Sequence, residues 1–264
     1  MTRGLLVDET RRLLERFGVD LDPDRDEQQL VDAEVIGLLV EAADVGEQDT
    51  VLEVGAGCGN ITLALAEAAG RVIAVEKNVK FLPLLEERTA PYGNVELIHG
   101  DALRIGLPPF GKLVSNLPYS ICEAFVHRLI RLDFEVVAVI VSSSFAGIVT
   151  AGEDDPRYSK LSLVAGAFFI VERLGAVGPE AYYPPPGVPT SIIRLKPRAV
   201  DDRRLGVLRR VLLQGDRKLK NALREAVISS SRVFGGPSTK REARRWVRSM
   251  ELGEAMLELS LIHI

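Results

Sequence analysis

From Val51 onward the chain repeats one pattern, a short apolar run followed by a turn and a longer amphipathic stretch, and little besides a parallel sheet flanked by helices satisfies it. Val51-Leu52-Glu53-Val54, Val72 to Val75, Val95 to Ile98, Leu113-Val114-Ser115 and Val136 to Val141 read as five strands. Ile61 to Ala69, Val79 to Arg88 and Ile121 to Leu132 read as the intervening helices. The fifth strand is continuous in its hydrophobicity, as burial on both faces requires. Ala165 to Val171 and Ser191 to Leu195, separated by a loop with Pro184-Pro185-Pro186 and Pro189, are expected to add a strand pair at the sheet edge.

Lys196-Pro197-Arg198 reads as a hinge. Beyond it Leu205, Leu208, Val211 and Leu212, then Leu219, Leu223 and Val227, keep helical spacing. Two domains follow from this, an α/β domain over residues 1–198 and a small helical domain over 199–264.

Charge is distributed unevenly. Residues 1–50 carry 5 Lys/Arg against 14 Asp/Glu, a balance of −9, whereas residues 201–250 carry 14 against 5, a balance of +9. A basic end on a chain of net charge −4 points either to a polyanion-facing surface or to a solvated helical face. The longest apolar run, Val136 to Val141, is too short to cross a bilayer, and the N-terminus lacks the apolar core of a secretion signal, so a soluble, cytoplasmic protein is expected. Two cysteines, Cys58 and Cys122, make no disulfide framework and read as reduced structural thiols. His99, His127 and His263 show no metal spacing, and no metal is expected.

Gly55, Gly57 and Gly59 follow a strand directly and precede a helix, where a tight turn lets a ligand approach the backbone. Glu76 ends the next strand, where a carboxylate can accept both hydroxyls of a ribose, and Asp101 follows the third, placed to accept from an adenine amino group. Three strand ends thus converge on one nucleoside. NAD is the rival ligand, but the trio is Gly-x-Gly-x-Gly rather than Gly-x-Gly-x-x-Gly, and Glu53 precedes it within the strand. The run Glu53 to Gly59 resembles the first motif of Rossmann-like S-adenosylmethionine methyltransferases.

Asn116-Leu117-Pro118-Tyr119 follows the fourth strand and overhangs the same edge. An adenine amino nitrogen is a poor nucleophile because its lone pair is delocalised into the ring. The Asn116 side-chain oxygen and the Leu117 carbonyl can accept its two N–H groups, with Pro118 fixing the turn and Tyr119 stacking on the base. Taken alone the tetrapeptide is an ordinary strand-to-helix turn, and its weight comes from lying beyond a cofactor-type glycine loop.

With these motifs in order, the chain resembles the dimethyladenosine transferases that modify two adjacent adenines near the end of small-subunit ribosomal RNA. Tyr158 to Ser162, Tyr182 to Val188 and Arg217 to Leu223 extend the resemblance over roughly residues 26–226. It implies transfer of two methyls to each adenine from S-adenosylmethionine. It also implies a Rossmann-like sheet with helices on both faces and a small C-terminal helical RNA-docking domain. A monomer acting on the immature small subunit is expected. By resemblance Gln28, Leu30, Glu53, Gly55, Gly57, Glu76, Asp101, Ala102 and Asn116 hold the cofactor, and Tyr182 takes the place of a family Phe that packs on the target base. Arg209, Arg210, Arg217, Lys218, Lys220 and Arg224 are then expected to track phosphates. Two stretches depart from the family. Asp26-Glu27-Gln28-Gln29-Leu30 stands where the family reads Gly-Gln-x-Phe-Leu, and Ser142-Ser143-Ser144 followed by Ile148 stands for a Gln-Lys-Glu run followed by Arg. Rival readings are an adenine-N6 DNA methyltransferase, a protein-amide methyltransferase with a similar turn, and a ribosome-assembly factor with weak or lost catalysis.

Overall fold

The structure is a computed structural model, and it describes residues 3–200, 203–214 and 217–250. Two N-terminal helices, α1 (Arg3–Phe17) and α2 (Ala33–Ala42), flank a two-residue strand, β1 (Gln29–Leu30). The alternating region follows as β2 (Thr50–Val54), α3 (Asn60–Ala68), β3 (Arg71–Glu76), α4 (Leu82–Thr89), β4 (Val95–His99), β5 (Lys112–Asn116), α5 (Cys122–Leu129) and β6 (Val136–Ser142). Then come α6 (Ser143–Val149), α7 (Lys160–Phe168), β7 (Phe169–Val177), β8 (Tyr182–Tyr183) and β9 (Thr190–Pro197). Three helices complete the described chain, α8 (Arg203–Leu212), α9 (Leu219–Phe234) and α10 (Lys240–Arg248).

Seven strands form one sheet in the order β4-β3-β2-β5-β6-β9-β7, parallel from β4 to β6 and antiparallel at β9 and β7. Strand alternation decides which face each side chain serves. Leu52, Val54, Leu113, Val137 and Val139 pack with Phe125 and Leu129 of α5 and with Leu161 and Val164 of α7. Val51, Val72, Val114, Ala138 and Ile140 pack on the other face with Ile36 and Leu39 of α2 and Ile61 and Leu65 of α3. The order of strands reverses between β2 and β5, so their carboxyl ends open a crevice where ligands of such sheets bind.

One expected strand is a helix over half its length. Ala165 to Phe168 belongs to α7, and the strand begins only at Phe169. An apolar run cannot distinguish a buried helix from a buried strand by period alone. Ser159 settles it locally, because its side chain and that of Ser162 form a reciprocal capping box that starts the helix.

The helical end has its own small core of Val207, Val211, Ala222, Leu223, Ala226, Val227 and Val247. The other face of α8, through Leu205, Leu208 and Leu212, lies on the main core. Arg209 fastens this joint. Its guanidinium donates to the carbonyls of Ala167 and Arg198, each at 2.6 Å, and stacks over the Phe168 ring. Arg209 is therefore turned into the joint rather than outward, which revises its expected place among phosphate-tracking cations. Arg209→Ala is expected to lower stability by about 2 kcal/mol through loss of charge-assisted hydrogen bonds. Thermal unfolding should register this as a fall in Tm of about 4–8 °C.

Candidate active site

β2 delivers a buried, rigid strand to the crevice and stops at Gly55, whose amide, with that of Ala56, bonds to the Val75 carbonyl at 2.8 and 3.3 Å. Gly55, Gly57 and Gly59 all have left-handed φ values, +78°, +53° and +82°. Most other residues cost about 1–2 kcal/mol in that region, Asn and Asp less. Space makes the same demand. A Cβ on Gly55 would lie 3.1 Å from the Pro118 ring, and one on Gly57 would collide with the Gln29 carboxamide. Arg88, almost fully buried, donates to the Cys58 carbonyl at 2.5 Å, to Asn60 Oδ1 at 2.7 Å and to Glu9 of α1 at 2.9 Å. The glycine loop is thus held from beneath by α4 and from the side by α1.

Two carboxyl groups lie against this loop. Glu76 Oε2 accepts from the Gly57 amide at 2.8 Å and Oε1 from the Asn78 amide at 2.7 Å, so the acid expected at the ribose also ties the loop to β3. Three backbone donors, the amides of Gly57, Asn78 and Lys77, thus bear on this carboxylate. Burial pushes the Glu76 carboxyl up, against the pull of those backbone donors. Glu53 is buried and accepts from Thr62 Oγ1 at 2.6 Å. Its carboxyl is pushed up to about 8, first by burial, and the Glu76 charge adds to the rise. Asp101, nearer solvent, accepts from the Leu103 amide at 2.9 Å and the Lys77 ammonium at 3.0 Å, and both hold its carboxyl below its ordinary range.

β5 ends in the tetrapeptide. The Leu117 amide donates to Ile140 and the Leu117 side chain is buried in the core. Pro118 rests on Gly55. Asn116 Nδ2 donates to the Gln28 carbonyl at 3.2 Å, while Asn116 Oδ1 is buried with no partner. The Tyr119 hydroxyl is likewise buried and without a partner, and burial pushes it up, as does the neighbouring Tyr182 hydroxyl. An unmatched buried acceptor costs about 1–3 kcal/mol.

A cavity of about 650 Å³ joins these pieces, lined among others by Gln28, Leu30, Glu53, Gly55, Gly57, Glu76, Asp101, Ala102, Asn116 and Pro118. Tyr182 does not reach it. Its ring is buried, its hydroxyl bonds to Thr190 Oγ1 at 2.8 Å, and its backbone pairs with Leu30. The tyrosine hydroxyl needs an interior partner that a Phe would not, and Thr190 supplies it. Several polar residues on the cavity wall are not among the expected ligands, Asp26, Gln29 and Asn60 among them. Gln29 Oε1 accepts from the Cys58 amide at 2.7 Å and Asn60 Nδ2 donates to the Leu30 carbonyl at 2.9 Å, and neither contact has a local signal. Cys58 and Cys122 are buried thiols pushed up to about 12 by burial.

Of the expected RNA-facing cations, Arg217 and Arg224 line a cleft of about 370 Å³ beside α9 and α10, with Lys240 and Arg244 also on its wall. Arg210 and Arg217 line a second cleft nearby. Lys218 caps the start of α9 and Lys220 lies in its first turn. Among the described residues, no group of three or more His, Cys, Asp or Glu is arranged to hold a metal, and no helix is long and apolar enough to cross a membrane.

The sheet order, the left-handed glycine loop at the switch point, and the acids at the next strand ends define a Rossmann-like S-adenosylmethionine-dependent methyltransferase. Residues 24–232 match the model of the ribosomal RNA adenine dimethylase family, and the chain belongs to that family. It is 38% identical over 189 residues to a probable ribosomal RNA small subunit methyltransferase A of Thermococcus kodakarensis, which covers 71% of this chain and 67% of that protein. A protein of the same description from Methanosphaera stadtmanae is 31% identical over 81% of each chain. Among solved structures, a dimethyladenosine transferase from Plasmodium falciparum has the same fold, with a TM-score of 0.64 and 22% identity over 88% of this chain and 91% of that one. The 23S rRNA methyltransferase ErmE aligns with a TM-score of 0.61 and 25% identity over 84% and 98%.

Gly55→Ala should cost about 1–2 kcal/mol from its left-handed φ alone, with a further loss from the Pro118 contact, measured by denaturant unfolding. Glu53 supplies a pH test. Its folded-state value lies above the ordinary carboxylate range, so its contribution to stability is complete in acid and is lost as pH rises towards about 8. Glu53→Gln, which keeps an acceptor for Thr62, should therefore show a shallower fall in stability than wild type between about pH 5 and pH 8.

Proposed function

We propose that this protein transfers methyl groups from S-adenosylmethionine to the N6 amino groups of two adjacent adenines near the 3′ end of small-subunit ribosomal RNA, converting each to dimethyladenosine. The observation that carries the reading is Asn116 Oδ1, a buried acceptor without a partner, set one Pro118 ring away from the glycine loop. Small-subunit RNA is favoured by the curated relatives, at 31–38% identity, over the large-subunit RNA in the ErmE description, at 25%.

The cofactor supplies a methyl already made electrophilic by its sulfonium, so the chain's task is positioning and electrostatics. Gly55 and Gly57 leave the backbone open to the ligand, Glu76 accepts from the ribose hydroxyls, and Asp101 accepts from the adenine amino group of the cofactor. Gln28, Leu30, Glu53 and Ala102 complete that wall. On the acceptor side, Asn116 Oδ1 and the Leu117 carbonyl take the two N–H groups of the target nitrogen and turn its lone pair toward the methyl. Pro118 fixes the turn, and Tyr119 stacks on the base. Tyr182 backs Tyr119 rather than meeting the base itself. The methylated nitrogen sheds its extra proton to water, and Asn116 takes up none.

A base enters such a site only when unstacked, as in an RNA loop or a flipped nucleotide. Residues 1–198 carry the chemistry and the helical unit over 199–264 docks the RNA, through Arg210, Arg217, Lys218, Lys220 and Arg224, with Arg209 serving the joint. Residues 251–264 lie outside the described residues. The protein works as a cytoplasmic monomer on the immature small subunit, in ribosome biogenesis.

Purified protein incubated with methyl-labelled cofactor and immature small subunits, followed by digestion to nucleosides, should place label in dimethyladenosine. Tight subunit binding without label would instead mark an assembly factor. Asn116→Ala should lower turnover by about 10²–10³-fold while cofactor binding stays measurable. Unchanged turnover would remove Asn116 from the mechanism.

A further inference from the structure

The segment Asp26 to Gln29 touches three loops of the cavity, the glycine loop, the turn beyond β3 and the Asn116 turn. The side chains of Glu27 and Gln29 run to the cofactor side. Glu27 accepts from Asn78 Nδ2 at 2.9 Å and pairs with Lys80 at 2.5 Å beyond β3, and Gln29 Oε1 accepts from the Cys58 amide. Positions 26 and 28 reach the Asn116 turn. The Gln28 carbonyl receives Asn116 Nδ2 at 3.2 Å, and Asp26 Oδ2 accepts from the Ser120 amide at 2.9 Å. The Asn116–Ser120 turn is therefore gripped at both ends, at Asn116 and at Ser120.

Both grips have physical reasons. The single turn Tyr119–Ile121 and the helix α5 that follows begin at Pro118 and Ile121, and neither cap contributes a side-chain hydrogen bond. The first amides of such a turn lack partners within it. Asp26, 94 positions away in the chain, supplies for the Ser120 amide the acceptor that a local Ser or Asp would normally provide. It does so from a left-handed backbone, φ +61°, a region that Asp and Asn enter more readily than most residues. At the other end, the Gln28 carbonyl accepts from Asn116 Nδ2 and leaves Asn116 Oδ1 unmatched.

We infer that Asp26 is a positioning residue for methyl transfer, holding the Asn116–Ser120 turn in the geometry that presents Asn116 Oδ1 to the target amino group. The inference rests on the reading of Asn116 given above. Asp26, on the cavity wall, acts through its bond to the Ser120 amide, and the strap it belongs to links the turn to the glycine loop and the end of β3.

The test compares Asp26→Gly, which keeps the backbone conformation and removes the acceptor, with Asp26→Asn, which keeps both. Under saturating cofactor, Asp26→Gly should lower kcat by about tenfold. Its equilibrium affinity for the cofactor should stay within about twofold of wild type, and Asp26→Asn should recover kcat to within about threefold. Amide exchange in the peptide holding Ser120, measured by mass spectrometry without substrate, should accelerate in Asp26→Gly and not in Asp26→Asn. Wild-type kcat in Asp26→Gly, or equal losses in both variants, would overturn the inference. Failure of the wild-type protein to form dimethyladenosine would overturn the functional reading instead, and the exchange result would still judge the grip of Asp26 on Ser120.

Discussion

The site depends on the contact between Gly55 and Pro118. Two parallel strands, β2 and β5, are neighbours because their side chains bury into the same two layers, and that pairing alone brings the glycine loop beside the Asn116 turn. How closely the loops approach is set by what lies between them, a glycine without a side chain and a proline ring held at fixed φ. A methyl carbon must be presented to a nitrogen near van der Waals distance, so the spacing of these two loops bears directly on reactivity. The left-handed glycines, the Glu76 carboxylate and the Arg88 guanidinium all hold the loop that Gly55 begins.

The polar groups around this contact are handled in two ways. Glu53, Glu76, Gln29 and Asn60 are buried and bonded within the protein, which keeps the cavity wall rigid. Asn116 Oδ1 and the Tyr119 hydroxyl are buried and unmatched. A fold tolerates such groups at a cost, and their concentration at one turn fits a site whose hydrogen bonds are completed by a ligand.

Much of this arrangement was legible beforehand. Local turn chemistry and strand hydrophobicity located Gly55, Gly57, Glu76, Asp101 and Asn116, because each lies at or just beyond the end of a strand whose pattern is visible within a few residues. Arg209 and Tyr182 show where that reasoning stops. Arg209 lies in a run of cations and reads as one of them, yet the carbonyls of Ala167 and Arg198 turn it inward. Tyr182 lies in a motif block and reads as a base platform, yet Thr190 draws its hydroxyl into the interior.

The sequence by itself determined the parallel sheet, the order of its motifs along one edge and the basic helical end, since these follow from periodicity, glycine placement and composition. Tertiary structure decided how the motifs are joined: Asp26 on Ser120, Gln29 on Cys58, Arg88 beneath the glycine loop and Arg209 in the joint. Each of these includes a hydrogen bond between residues 29 to 94 positions apart. Such a bond requires a donor and an acceptor to meet at the right distance and angle after the chain has packed, and no local pattern encodes that meeting.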